Sequence, residues 1–331
     1  MAARAPEAAR AAARTHAGMT AYLDVFVPAF GLLGLGALLR RFLLRDDAVW
    51  AGIERLVFWV LMPCLLASAI ASVNLAALPL GGMALTIWLA LLAGTAVCAA
   101  LSRGLGLTHA SATSVLQGGI RFNNLMGFAV VGALLGPAGT ALGAVATGLI
   151  VPFVNLVVTL GFALGGGGTG RGARRIAPLR VLRQVALNPL ILGCALGFAA
   201  SGLLGGLPPG ARPLAAALGQ AAVALGLLCV GAALTLGALR DRPGLQAATC
   251  AIKLGLMPLL TLALGRALGL DPLTLGVALV FMALPTATTS YVMARAMGGD
   301  APLMAALTTT EHLAAVATLP LWIALLGLGA G

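Results

Sequence analysis

Between residues 22 and 328 the chain alternates long apolar runs with short polar gaps. The runs fall at 22–40, 53–72, 81–102, 110–135, 139–163, 185–205, 213–239, 245–268, 273–297 and 302–328. A helix rises about 1.5 Å per residue, so roughly 17–25 apolar residues cross a hydrocarbon layer about 30 Å thick. Inside lipid each segment must satisfy its own backbone N–H and C=O groups, which makes helix the expected form of every run. The pattern predicts an all-α integral membrane protein with ten transmembrane helices.

Two of these runs carry polar interruptions that lipid would penalise. The fourth contains Gln117–Gly118–Gly119–Ile120–Arg121–Phe122–Asn123–Asn124–Leu125–Met126–Gly127–Phe128. The ninth contains Leu284–Pro285–Thr286–Ala287–Thr288–Thr289–Ser290–Tyr291. Paired Gly raises the backbone cost of helix, and Pro removes a donor and clashes with the preceding turn. Both runs are therefore expected to break mid-membrane, where freed backbone groups are tolerated only against protein or a water-filled cavity. Broken helices also aim half-helix N-termini, which carry partial positive charge, into the membrane centre. Arg121, Asn123, Asn124, Pro285, Thr286, Thr288, Thr289 and Ser290 are the candidate substrate-binding residues, a set suited to a carboxylate. Against this, Ser and Thr often bond only to their own helix backbone, and Arg121 needs some partner with or without a ligand. Gln117, Asn155, Lys253, Glu311 and His312 are candidate cavity or coupling residues. Glu311 and His312 are titratable groups inside the tenth run, open to a proton role or to a structural pairing.

Composition narrows the class. Of 331 residues, 60% are hydrophobic and only 9% charged, against roughly 25% charged in soluble domains. The net charge of +11 does not point to nucleic acid, because the basic residues lie in gaps between apolar runs rather than on one face. Thirteen Arg lie in or at the edges of gaps 1–2, 3–4, 5–6, 7–8 and 9–10, and five on the opposite side. The positive-inside rule then places both termini outside and the Arg-rich linker 164–184 in the cytoplasm. The five Cys are scattered singly and form no metal spacing, and the three His are isolated, so neither a metal centre nor a catalytic set is expected. No Gly-x-x-x-x-Gly-Lys-Ser/Thr loop occurs, which argues against direct ATP drive. The expectation is a protein that is not an enzyme and has no cofactor. A membrane sensor would usually carry a soluble output domain, and none is visible.

The linker divides the chain into a first five-helix repeat at 22–163 and a second at 185–331. An odd number of spans per half inverts the second relative to the first. Pro28 and Pro189 are 161 residues apart, and Asn123 and Pro285 are 162 apart, so nearly one offset aligns both helix entries and both breaks. Residues 1–21 form an N-terminal tail with no apolar signal-peptide core. Met19 is an alternative start within it.

The motifs resemble those of the auxin efflux carrier family, which contains bacterial transporters and the plant PIN-type carriers. The resemblance rests on Phe58–Trp59–Val60–Leu61–Met62–Pro63, on Arg121–Phe122–Asn123–Asn124–Leu125–Met126–Gly127–Phe128, and on Pro152–Phe153–Val154–Asn155. It rests further on Asn188–Pro189, and on Ala283–Leu284–Pro285–Thr286–Ala287 followed by Ala294–Arg295, all in family order. Glu311–His312 is more polar than the family pattern at that place. The resemblance implies a fold like the bile-acid symporter and sodium/proton antiporter group, with crossing broken helices 4 and 9. It also implies a scaffold of spans 1, 2, 6 and 7, and a moving core of spans 3–5 and 8–10. Since relatives include proposed malonate and malate carriers, it implies a small organic anion as substrate. The expected function is a secondary transporter in the cytoplasmic (inner) membrane, working by alternating access and coupled to a proton or sodium gradient, or driven by the substrate gradient. Its partners would be the anion, the lipid bilayer and, by analogy, a second copy in a homodimer. The alternative is a cation/proton antiporter of the same fold.

Overall fold

The computed structural model describes residues 5–72, 80–164, 183 and 186–327, with side chains from residue 23 onward. Most of the linker at 164–184 lies outside the described residues. The described chain is helical: α1 (Ala5–Phe42), α2 (Asp47–Leu56), α3 (Met62–Ala71), α4 (Leu80–Gly104), α5 (His109–Ile120), α6 (Asn124–Leu164), α7 (Pro189–Leu204), α8 (Ala211–Ala232), α9 (Pro243–Cys250), α10 (Met257–Ala267), α11 (Pro272–Met282), α12 (Thr289–Met297) and α13 (Ala301–Leu325). Helix α1 runs without interruption from residue 5 into the first apolar run.

Among the described residues, six helical stretches are long and apolar enough to cross a membrane: Leu23–Phe42, Asp47–Ala71, Leu80–Gly104, His109–Leu164, Ala211–Ala232 and Pro243–Ala267. Helices α7 and α11 are apolar but shorter. The long stretch His109–Leu164 is not one rod. It opens at 121–123, and α6 bends at Gly136, whose φ of 60° is a left-handed value that Gly adopts without steric penalty.

Proline shapes two stretches in the same way. A π-turn at Val57–Leu61 joins α2 to α3 just before Met62–Pro63, and another at Ala251–Leu256 joins α9 to α10 before Met257–Pro258. Pro lacks the N–H that would bond four residues back, so a wider turn and a freed carbonyl result. The carbonyl freed by Pro258 is that of Leu254, and the Trp322 indole N–H takes it at 2.7 Å.

Packing sorts the helices into two groups. In one, α3 lies on α7 and α8, and α1 lies on α8. The α1–α8 approach is close enough that a Cβ on Gly36 would meet the Leu228 carbonyl, and one on Gly231 the Leu33 carbonyl. Small residues allow such contact between membrane helices. In the other group, α4 packs on α5 and α10, α11 on α6 and α10, and α13 on α5 and α12. Helix α6 touches both groups. Phe281 is fully buried in the second group, its ring tilted at 56° to Phe122 and edge-on to Phe128, with centroids 5.9 and 5.8 Å away. Cys98, Cys194 and Cys229 are buried, and all five Cys are free thiols.

Candidate functional site

The two polar interruptions are breaks, and they meet. Helix α5 ends at Ile120, Arg121 is extended (φ −75°, ψ 165°), and α6 starts at Asn124. Helix α11 ends at Met282, and α12 starts at Thr289. The Asn123 N–H donates to the Pro285 carbonyl at 2.9 Å, tying one break to the other. Pro285 favours this geometry because Leu284 before it is disfavoured in helical backbone. The Gly pair acts differently from its sequence reading. Gly118 and Gly119 stay helical within α5, and a Cβ on Gly119 would lie 2.2 Å from Cys98 Sγ. Their smallness serves packing, and the helix opens just after them.

Asn123 is buried and fully used. Its Oδ1 accepts from the N–H groups of Leu125 and Met126 at 3.1 and 3.3 Å, which caps α6. Its Nδ2 then faces His312 Nε2 at 3.0 Å. His312 Nδ1 lies 2.7 Å from the Thr308 carbonyl, which can only accept, so Nδ1 carries the ring proton and Nε2 accepts from Asn123. Both ring nitrogens are occupied in the neutral tautomer, which leaves His312 a poor place for a travelling proton.

A cavity of about 710 Å³ lies against the breaks, between the two helix groups. Its polar lining at the breaks is Arg121, Asn123, Asn124, Thr288 and Thr289, joined by Asn155 from α6. Phe58, Trp59, Met62, Val154 and Val230 supply apolar wall. Glu54 and Arg55 of α2, and Asn188, reach its other end. Asn188 caps α7 through Leu190 N–H at 2.9 Å, with Pro189 at the first turn, so it is also a helix-entry device.

The Arg121 guanidinium is held at the cavity wall by neutral acceptors. It donates to Thr289 Oγ1 at 3.0 Å, Met293 Sδ at 3.1 Å and Asn155 Oδ1 at 3.4 Å. Among the described residues the ion pairs are Arg40–Asp47, Arg242–Asp241 and Arg242–Asp300, so no carboxylate neutralises Arg121. Asn124 Oδ1 is buried with no hydrogen-bond partner. Helix α12 begins without a side-chain cap, so its N-terminal dipole end is open toward Thr288 and Thr289.

The remaining candidates lie behind this wall. Thr286 is fully buried; its N–H donates to Glu311 Oε2 at 2.8 Å and its hydroxyl to the Gln117 carbonyl at 3.2 Å. Ser290 is buried against the Thr286 hydroxyl at 3.3 Å. Lys253 is fully buried on the second π-turn, with Nζ 3.5 Å from the Met282 carbonyl. Gln117 is buried with neither side-chain amide atom partnered. Pro285, Thr286, Ser290, Gln117, Lys253, Glu311 and His312 therefore do not line the cavity.

Comparison with known proteins fits this architecture. Residues 173–323 match the family described as Membrane transport protein. A protein of Rhizobium meliloti (strain 1021) named "Putative malonate transporter" is 28% identical over 289 residues, covering 85% of this chain and 88% of that relative. Over these stretches the chain is similar to membrane transport proteins. The cavity of this transporter was only partly foreseeable. Arg121, Asn123, Asn124, Asn155, Thr288 and Thr289 were readable from the interrupted runs. Glu54, Arg55, Trp59 and Asn188 were missed as cavity residues, although Trp59 and Asn188 stood inside the family motifs and Glu54–Arg55 is a charged pair next to an apolar run.

Proposed function

We propose that the transporter moves a small carboxylate across the cytoplasmic membrane by alternating access, with a malonate-type dicarboxylate as the best candidate. The observation that supports this most is the Arg121 guanidinium at a cavity wall, held only by neutral acceptors. A buried cation is costly without a counter-charge, and a guanidinium fork matches a carboxylate in two parallel hydrogen bonds. The open N-terminus of α12 and the Asn124 and Asn155 amides add donors beside it. The name of the Rhizobium relative points to the same ligand class.

The proposal includes ten spans in two inverted halves. The six long stretches give six spans, the Gly136 bend makes His109–Leu164 two, and α7, α11 with α12, and α13 bring the total to ten. The two packed helix groups would then be scaffold and moving core, with the cavity between them. Arg55 and Asn188 lie beside the Arg-rich gaps, so by the positive-inside rule this cavity opens to the cytoplasm and both termini lie outside. The cation/proton antiporter reading calls for paired buried acids. Glu311 is the one fully buried acid among the described residues, which favours the anion reading.

The deciding experiment is uptake of radiolabelled malonate into proteoliposomes. Wild-type protein should accumulate label that excess unlabelled dicarboxylate displaces, and Arg121→Ala should not. Full uptake by Arg121→Ala would overturn the site, and sodium or proton exchange without any carboxylate movement would overturn the function.

A further inference from the structure

Behind the cavity wall, the second break is held between two buried charges of opposite sign. Lys253 Nζ reaches the Met282 carbonyl, the last of α11, where the helix dipole is negative. Four residues on, the Thr286 N–H donates to Glu311 Oε2. Both charged side chains are fully buried, yet they form no direct ion pair. Glu311 Oε1 has no hydrogen-bond partner, and the nearby wall is the Gly118 backbone, where a Cβ would lie 3.2 Å from that oxygen. The groups around Glu311 are few. Lys253 comes from the π-turn, Cys250 from α9 and Cys98 from α4, all within Coulombic reach, and His312 from its own helix has both ring nitrogens occupied. Helix α5 brings Gly118 and the neutral Gln117, and the break brings Thr286.

We infer that Glu311 is a proton-binding site that couples carboxylate movement to a proton, with Lys253 as its fixed counter-cation. Oε1 is the place for the proton: it is buried, unbonded, and free to become a hydroxyl while Oε2 keeps Thr286. The proton adds to the carboxylate from water on one side, giving a neutral carboxyl, and leaves to water on the other; Lys253 stays an ammonium throughout. Charge bookkeeping then fixes the direction. With Glu311 ionised, the Lys253–Glu311 pair is neutral and Arg121 is the surplus cation. A malonate dianion on Arg121 leaves one negative charge over, and a proton on Glu311 cancels it. A core that crosses with no net buried charge avoids the penalty of an uncompensated ion in a low dielectric. The two sites communicate through Thr286 and Pro285, since Pro285 holds Asn123 beside the cavity.

This inference rests on the carboxylate reading and deepens it: one proton should enter with each dianion. The test uses the full chain in proteoliposomes with a pH dye trapped inside and equal pH on both sides. Malonate added outside should acidify the lumen in wild type. Glu311→Gln mimics the permanently protonated side chain. Its malonate-driven acidification should fall at least about tenfold while malonate-for-malonate exchange stays within about threefold, as expected when only the ion coupling is removed. If Glu311→Gln does not purify as folded protein, Glu311→Gln with Lys253→Gln removes both charges and is held to acidification per malonate alone, since its loaded core keeps one negative charge over and its exchange should fall. Acidification per malonate unchanged in these variants would overturn the inference. So would wild-type uptake with no acidification, which leaves the carboxylate reading intact. No malonate exchange by wild type would instead overturn that reading, and this one with it.

Discussion

The break at 121–123 and the break at 283–288 share one backbone hydrogen bond, yet they present opposite sides to the molecule. The first turns its side chains into the cavity: Arg121 and Asn124 face it, and Asn123 caps α6 at its edge. The second turns its first half inward, where Pro285 and Thr286 are buried against Asn123, Gln117 and Glu311. Its second half, Ala287 and Thr288, reaches the cavity together with Thr289 at the start of α12. One break supplies the charge that meets a ligand. The other supplies a frame that positions it, and the frame is where the buried Lys253 and Glu311 act. Two polar interruptions of similar look can thus divide recognition from positioning.

Arg121→Ala breaks this division at its strongest point. Hydrogen bonds to a charged group are worth about 1.5–3 kcal/mol, so malonate affinity should drop by roughly tenfold to more than a hundredfold, read as binding by calorimetry or as KM for uptake. Arg121→Lys keeps the charge and loses the fork, and should fall between wild type and Ala. Equal loss in both would mean that charge alone matters; no loss in either would place the ligand elsewhere.

Asn123→Ala probes the seam between the two breaks and should act on stability first. It removes the cap of α6, a change worth about 0.5–2 kcal/mol, and leaves His312 Nε2 buried without its donor, which costs about 1–3 kcal/mol more. The measurement is thermal unfolding in detergent. A variant as stable as wild type, with uptake lost, would move Asn123 from frame to ligand contact.

Much of this was legible in the residues, and the misses have physical causes. The apolar runs, the site of each break and the shared 161–162 offset came directly from pattern. Arg121, Asn123 and Thr289 announced themselves because polar groups are rare where lipid surrounds the chain. The roles within the second break were hidden. Which way Thr286 or Ser290 points depends on helix packing, and helices that are apolar on all sides carry almost no periodic signal of their buried face. Gly118 and Gly119 read as helix breakers but are packing residues, because their role depends on Cys98, Thr249 and Leu307, which are distant in sequence. Lys253 reads as a cavity or coupling candidate, yet it sits fully buried on the π-turn before Pro258 and off the cavity.

A matched pair of conservative changes sharpens the comparison further. Thr286→Val keeps the backbone N–H to Glu311 and removes the hydroxyl bonded to Gln117; Thr289→Val removes an acceptor of Arg121. Each deletes hydrogen bonding worth about 1 kcal/mol. The first should lower the unfolding temperature and leave malonate KM near wild type. The second should raise KM by a few-fold with unfolding unchanged. The reverse outcome would mean that frame and recognition are exchanged between the two.

The smallest expected effect lies farthest from the break residues, where Asp300 anchors the turn between α12 and α13. Its Oδ2 accepts from Arg242 at 2.6 Å and from the Ser111 hydroxyl at 2.8 Å, while Oδ1 accepts from Leu303 N–H at 3.1 Å and caps α13. Burial alone would push this carboxyl up, but the bonds from Arg242, Leu303 and Ser111 outweigh it and hold the group below the usual carboxylate range. A carboxyl depressed on folding adds stability that is fully present above its unfolded pKa, about 3.9, and is lost as pH falls through the lower folded value. Arg242 is 40% exposed, so solvent screens the pair and the gain is small. Asp300→Asn should lower the unfolding temperature at neutral pH by about 1–3 °C, and the gap from wild type should close as the pH is taken below that range. Malonate exchange at neutral pH should not change, because nothing in this anchor touches Arg121. If exchange fell along with stability, the frame behind the second break would extend to the loop after α12, and recognition and positioning would be less separate than the two breaks suggest.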